Sequence, residues 1–178
     1  LIQLPVAAIL TALASVALVI AYPFMKRITW FPQVWLGMTF NWGVLVAAAT
    51  IDGALGAPAL AFYAGAILWT VGYDTIYACQ DMEDDALVGV KSSARAFGRH
   101  VKLAVGLLYA ASAALALSAA MFAGAGLLFA AVFGLYAAHL ARQVKRFDPA
   151  DGAACLSLFK SNRDAGLLLT LALSLAAL

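Results

Sequence analysis

Charge is what this chain has least of. Only 11% of its 178 residues are Asp, Glu, Lys or Arg, against 65% hydrophobic. No charged side chain occurs in residues 1–25, 28–51, 53–73, 103–141 or 165–178. A soluble domain of this size cannot hide that much apolar surface, which excludes a water-soluble globular fold. Cysteine is scarce too. Cys79 and Cys155 sit on or beside charged segments, are expected to be reduced and incidental, and show no zinc-ligand spacing. The chain starts at Leu1 without a basic leader, so its first apolar run does not read as a signal peptide. A chain that begins inside an apolar run is expected to lack an N-terminal part. The net charge of +2 says little beside where the charges sit, and no nucleic-acid partner is expected.

What is there is a series of runs long enough to cross a bilayer, which takes about 20 apolar residues. The first span covers about residues 3–22, and Pro23 followed by Lys26 and Arg27 is expected to stop it. The second runs from about Pro32 to Thr50. A turn through Asp52-Gly53 and Gly56-Ala-Pro58 leads into a third, about 58–79. Residues 82–102 read as a polar connection. The run 103–141 would be about 58 Å as one helix, so it is predicted to be two spans joined at Ala123-Gly-Ala-Gly126. Residues 142–163 read as a second polar connection. The run 165–178 is too short alone, so the last helix is predicted to begin near Leu156 and carry Lys160 and Arg163 inward. The expectation is an all-α, polytopic transmembrane helix bundle, a single domain over 1–178 with six spans, in a lipid bilayer. Six spans put segments 23–31, 80–102 and 142–160, with all Lys and Arg in or beside them, on one side and only Asp52 on the other. The positive-inside rule makes that basic side cytoplasmic.

The stretch Asp74-Thr-Ile-Tyr-Ala-Cys-Gln-Asp-Met-Glu-Asp-Asp85 holds five of the nine acids. On one continuous helix, Asp74, Asp81 and Asp85 would share an arc of roughly 40°, with Glu83 opposite. Such a stripe would repel itself beside lipid unless a cation neutralised it, and a hard divalent ion such as Mg²⁺ fits. The stripe reads as one wall of a Mg²⁺–diphosphate site. The plainer reading is a solvated helix end.

Lys26, Arg27 and Lys91 read either as topology anchors or as a clamp on the diphosphate. Arg95, Arg99, Lys102, Arg142, Lys145 and Arg146 read as anchors. Tyr77, about one turn from both Asp74 and Asp81, either orients a ligand or caps substrate, or belongs to an interfacial aromatic belt. Asn41 either faces a cavity or makes a helix–helix hydrogen bond. His139 reads as structural. The aromatic residues suit a lipid-tail tunnel, ordinary packing and interfacial belts equally.

Four blocks carry a resemblance: Tyr22-Pro-Phe-Met-Lys-Arg27, Pro32-Gln-Val-Trp-Leu-Gly37, Tyr73-Asp-Thr-Ile-Tyr-Ala-Cys-Gln-Asp-Met-Glu-Asp-Asp85 and Gly89-Val-Lys-Ser-Ser-Ala94. Over essentially its whole length the chain resembles the UbiA-type intramembrane prenyltransferases, most of all their 4-hydroxybenzoate polyprenyltransferase branch in ubiquinone synthesis. The resemblance implies nine transmembrane helices, of which these would be the last six. It also implies two aspartate-rich motifs that bind Mg²⁺ and a polyprenyl diphosphate. Asp81 and Asp85 match the second motif as metal ligands, and Asp74 matches the acid before it. Arg27 and Lys91 match basic residues that hold the diphosphate or the aromatic acid. The first motif, Asn-Asp-x-x-Asp-x-x-x-Asp, is absent. The chain is therefore expected to hold half of the metal site and to be inactive alone.

The implied reaction ionises the allylic diphosphate, lets the ring carbon ortho to the hydroxyl of 4-hydroxybenzoate attack, and passes the ring proton to a carboxylate such as Asp74. The implied location is a bacterial inner membrane. Alternatives are a sister enzyme with another acceptor (homogentisate, dihydroxynaphthoate, chlorophyllide or haem), a cation-coupled transporter, and a non-catalytic assembly subunit.

Overall fold

The computed structural model describes residues 3–82, 87 and 89–176, and among them there is helix but no strand. Among the described residues eight α-helices follow one another: α1 (Val6–Ile28), α2 (Pro32–Phe40), α3 (Gly43–Ile51), α4 (Ala57–Ala78), α5 (Ser93–Phe97), α6 (Val101–Phe122), α7 (Leu127–Arg146) and α8 (Gly152–Ser174), with a short 3-10 turn at Gly98–His100. Among the described residues five segments are long and apolar enough to cross a membrane, with α2 and α3 counting as one, Pro32–Ile51. The 23-residue α8 is long enough to be a sixth, but carries Lys160, Arg163 and Asp164. The chain is thus an integral membrane helix bundle.

Some boundaries differ from expectation. Pro23 does not stop α1, which runs on to Ile28 and closes where Thr29 N–H donates to Met25 O at 2.9 Å. Proline removes one ladder bond, and that loss is tolerated in membrane helices whose neighbours re-satisfy the backbone. Elsewhere along α1 two indoles donate to its carbonyls, Trp35 Nε1 to Leu18 O and Trp42 Nε1 to Thr11 O, at 3.1 and 2.8 Å, and dock α2 and the α2–α3 break against it. The last helix starts at Gly152, earlier than expected, because the Asp151 carboxylate accepts from Ala154 N–H at 2.9 Å and caps it. The turn between α6 and α7 falls where predicted, with Gly124 at φ +82°, a conformation that suits glycine.

Lipid tails compete with apolar side chains for helix faces, so close approach and polar ties do the organising. The hub is α4, which packs along α6 and also touches α2, α3, α5 and α8. Gly65 and Gly72 let α6 come close: a Cβ on Gly65 would meet Ser112 O at 3.0 Å, and one on Gly72 would meet the Tyr109 ring. Polar ties finish the hub. Trp69 Nε1 donates to Asn162 Oδ1 at 2.9 Å, Thr75 and Ser93 hydroxyls bond at 2.6 Å, and Ser93 N–H donates to buried Gln33 Oε1 at 3.2 Å. The large apolar side chains of α1, from Val6 through Phe24, stay exposed, as suits a lipid-facing helix.

The basic ends of α1, α4, α6, α7 and α8 meet. Lys91 N–H donates to Lys26 O at 3.4 Å, Lys102 Nζ donates to Lys145 O at 3.3 Å, and Gly152 lies against Gln80. Asp52 lies at the opposite end, after α3. This agrees with the charge asymmetry read from the sequence.

Candidate active site

Near its C-terminus α4 carries Asp74 one turn before its end, then stops at Ala78. The stop is local. Cys79 N–H donates to Ile76 O at 3.2 Å and Gln80 N–H to Tyr77 O at 3.1 Å, so the last turn tightens to a three-residue spacing. Gln80 Nε2 also donates to Tyr77 O at 3.1 Å. One uninterrupted helix through Asp74 and Asp81 is therefore not what forms, because the turn at 79–81 comes between these two acids. Asp85, with Glu83 and Asp84, lies outside the described residues.

Asp74 and Asp81 nevertheless line one cavity of about 230 Å³ at the basic end of the bundle. Its wall also includes Tyr22 and Lys26 from α1, Pro32 and Gln33 from α2, Tyr77 from α4, and Val90, Lys91 and Ser92. Two carboxylates, two lysines and two phenols thus line one small space. Neither acid has a salt bridge to another described residue; the ion pair among the described residues is Arg163–Asp164, at 2.8 Å. Lys91 bridges the cavity rim to α1, its Nζ donating to Ile28 O at 3.2 Å and lying 5.9 Å from the Trp30 ring centre.

Of the other residues singled out in the sequence, Tyr77 is 40% exposed and its ring lies 4.7 Å from that of Phe159. Arg27, next to Lys26 on α1, is exposed and does not line the cavity. Asn41 does not line it either. Its Nδ2 donates to Gly37 O and Thr70 Oγ1, both at 2.8 Å, tying the break between α2 and α3 to α4. Asn41 does line a second recess of about 390 Å³ with Phe40, Trp69, Thr70, Tyr73, Phe159, Lys160, Asn162 and Arg163. Phe159 joins the two spaces, touching Tyr77 toward one and Tyr73 (5.8 Å) toward the other. Tyr22, Gln33 and Ser92 line the acid cavity but were not singled out. All three fall inside the sequence blocks that carry the resemblance, yet no spacing rule identifies them.

A larger recess, about 620 Å³, lies beside Cys79, Gln80, Met82, Arg99, Pro149 and Gly152. It has no carboxylate among its described lining, unlike the smaller cavity. Among the described residues no three His, Cys, Asp or Glu side chains converge. Two carboxylates are still a sufficient protein contribution for Mg²⁺, which commonly takes one or two together with substrate phosphates. The donor set therefore fits that ion.

A multipass helical bundle with acids and lysines around one cavity defines the class as an integral membrane protein with a polar intramembrane site, and sequence comparison makes it specific. The model of the UbiA prenyltransferase family matches residues 1–173, and the chain belongs to that family. It is similar to the mitochondrial 4-hydroxybenzoate polyprenyltransferase of Rattus norvegicus, 42% identical over 167 residues, covering 93% of this chain and 44% of that protein. The corresponding protein of Drosophila melanogaster is 40% identical over 180 residues, 100% of this chain and 46% of that one. The 4-hydroxybenzoate octaprenyltransferase of Cronobacter sakazakii is 39% identical over 175 residues, 98% and 60% respectively. The chain spans about half the length of these curated relatives. No solved structure matches it.

Proposed function

We propose that this chain forms the acid- and lysine-bearing part of a 4-hydroxybenzoate polyprenyltransferase, which moves a polyprenyl group from its allylic diphosphate to the ring carbon ortho to the acceptor hydroxyl. The observation that carries the reading is the shared cavity of Asp74, Asp81, Lys26 and Lys91 at the basic end of the bundle. The relatives' names support the choice of substrates. The basic end then faces the cytoplasm of a bacterium, by the positive-inside rule.

Asp81, with Asp85, would hold Mg²⁺. When bound, the ion neutralises the diphosphate and eases its departure. Lys26 and Lys91 add cationic partners for the phosphate oxygens. The isoprenoid runs past Phe159 along Tyr73, Trp69 and Phe40, whose rings exclude water and suit an apolar chain. The phenol faces of Tyr22 and Tyr77 suit a developing allylic cation. Asp74, the acid set back within α4, takes the ring proton.

The acceptor distinguishes this reading from its sisters. Membranes containing the intact natural polypeptide, given a polyprenyl diphosphate, should prenylate 4-hydroxybenzoate in preference to homogentisate, dihydroxynaphthoate, chlorophyllide and haem. Preference for any other acceptor would overturn it.

A further inference from the structure

Away from the acid cavity, α7 and α8 enclose a smaller recess of about 190 Å³. On α7 it is lined by His139, Arg142, Gln143 and Arg146, spaced i, i+3, i+4, i+7, which is one stripe of a helix. From α8 it takes Ser157, Ser161 and Asp164, at i, i+4, i+7. The two stripes face each other, and the groove opens at the basic end because Arg146 is the last residue of α7.

The floor of this groove is polar and incompletely satisfied. Gln143 is 2% exposed. Its Nε2 donates to Ser161 Oγ at 2.8 Å, and that hydroxyl donates to Leu158 O at 2.8 Å. Gln143 Oε1 is buried and has no partner among the described residues. Turning the amide end for end would leave Nε2 as the open atom instead, so either orientation keeps one polar atom of Gln143 unmatched. A buried open group of this kind costs free energy unless something polar meets it. The His139 ring is already engaged, its Nε2 lying 3.2 Å from Ser161 O.

Charge decides what that something is. Arg142 and Arg146 are exposed at the rim with their guanidinium groups unmatched by any acid among the described residues. The carboxylate in the groove, Asp164, is half-exposed and pairs with its neighbour Arg163 at 2.8 Å, so it competes only weakly for the two arginines. Lys102 and Lys145 stand at the same end. Basic recesses between transmembrane helices at this depth suit lipid phosphate headgroups. A phosphate ester also suits the bidentate arginine fork better than a halide or a carboxylate would.

We propose that the groove between α7 and α8 is a binding site for the headgroup of an anionic glycerophospholipid. The phosphate meets Arg142 and Arg146, and the headgroup's polar end reaches the open atom of Gln143. This site is separate from the diphosphate cavity and does not depend on the catalytic reading. On α8 the groove residues Ser157, Ser161 and Asp164 lie roughly opposite Phe159 and Asn162, which line the isoprenoid recess.

The test is lipid retention by the purified natural polypeptide in detergent, read by native mass spectrometry. The probes are phosphatidylglycerol and phosphatidylcholine, with inorganic phosphate as competitor. Phosphatidylglycerol should bind at least about tenfold more tightly than phosphatidylcholine. Arg142→Gln with Arg146→Gln should weaken it by about ten- to thirtyfold. Gln143→Leu should weaken it by about threefold or more. Arg99→Gln, at another recess, should change nothing. Both arginines are surface residues, so their replacement tests the site even if the Gln143 variant folds poorly. Equal retention of the two lipids, or unchanged retention in the double-arginine variant, would overturn the proposal. Full displacement by millimolar inorganic phosphate would overturn it as well, by pointing to free phosphate as the occupant.

Discussion

Lys91 is tied to α1 by its own side chain, and Lys26 stands on α1 across the cavity from Asp74, so the two lysines are not equivalent. If both grip a diphosphate, Lys91→Ala should lower kcat/KM for the polyprenyl diphosphate by about ten- to a hundredfold, the worth of a charge-assisted hydrogen bond. Lys91→Arg should keep more of it. Arg27→Ala should cost little, because Arg27 is exposed and does not line the cavity. Steady-state kinetics on membranes of each variant checks all three. At Cys79, just past the end of α4, burial pushes the thiol up to about 12, with the Cys155 thiol adding to the shift. Only the thiolate alkylates, so the raised value leaves Cys79 protonated across the whole range below about pH 11. A membrane-permeant maleimide at pH 8 should label it at least a hundredfold more slowly than an exposed thiol, and at the ordinary rate after denaturation. Rapid labelling of the native protein would show the thiol to be accessible.

At the scale of elements, α4 against α6 is the interface most open to test. Gly65→Leu puts a branched side chain against Ser112 O and Leu115, where backbone must move. Overpacking of this kind costs about 1–3 kcal/mol. The midpoint of thermal unfolding in detergent should fall by several degrees, whereas Gly134→Leu, whose Cβ meets open space, should leave it unchanged. The same elements tell how far sequence reasoning reached. The α6–α7 turn was legible because Gly124 needs a left-handed backbone that glycine announces. The run of α1 past Pro23 was not, since a proline in a membrane helix costs one ladder bond and does not by itself end the helix. The acid stripe was half legible. Composition located Asp74 and Asp81, but the helical wheel assumed a helix that tightens and stops at Ala78, where Ile76 and Tyr77 carbonyls find their partners three residues on. Tyr22 and Gln33 reach the cavity through the docking of α1 and α2, which no periodicity encodes. Asn41 had two readings from sequence, and the polar tie to Thr70 is the one its amide nitrogen makes.

For the whole molecule, the sidedness read from eleven cations agrees with the meeting of the basic helix ends around Lys26, Lys91, Lys102 and Lys145. A topology of this kind predicts opposite access. A single cysteine placed at Asp52 should react with an impermeant maleimide from one face of sealed vesicles, and one placed at Arg99 from the other. Reaction of both from the same face would break the six-crossing order and the cytoplasmic assignment with it. The arrangement also explains why so hydrophobic a chain concentrates its acids where it does. On the proposed reading, the edge of the bundle would let a diphosphate headgroup reach the acids from the water side while its apolar tail lies beside Phe159.

The most direct measurement is prenylated product formed by membranes carrying the intact natural polypeptide with Asp81→Asn, Asp74→Asn or Gln80→Ala. Both aspartate variants should lose at least about a hundredfold in turnover, as removal of a group acting on transition-state charge does. Gln80→Ala, one residue from Asp81 but lining the neighbouring recess, should stay near wild type. Turnover close to wild type in both aspartate variants would contradict the account.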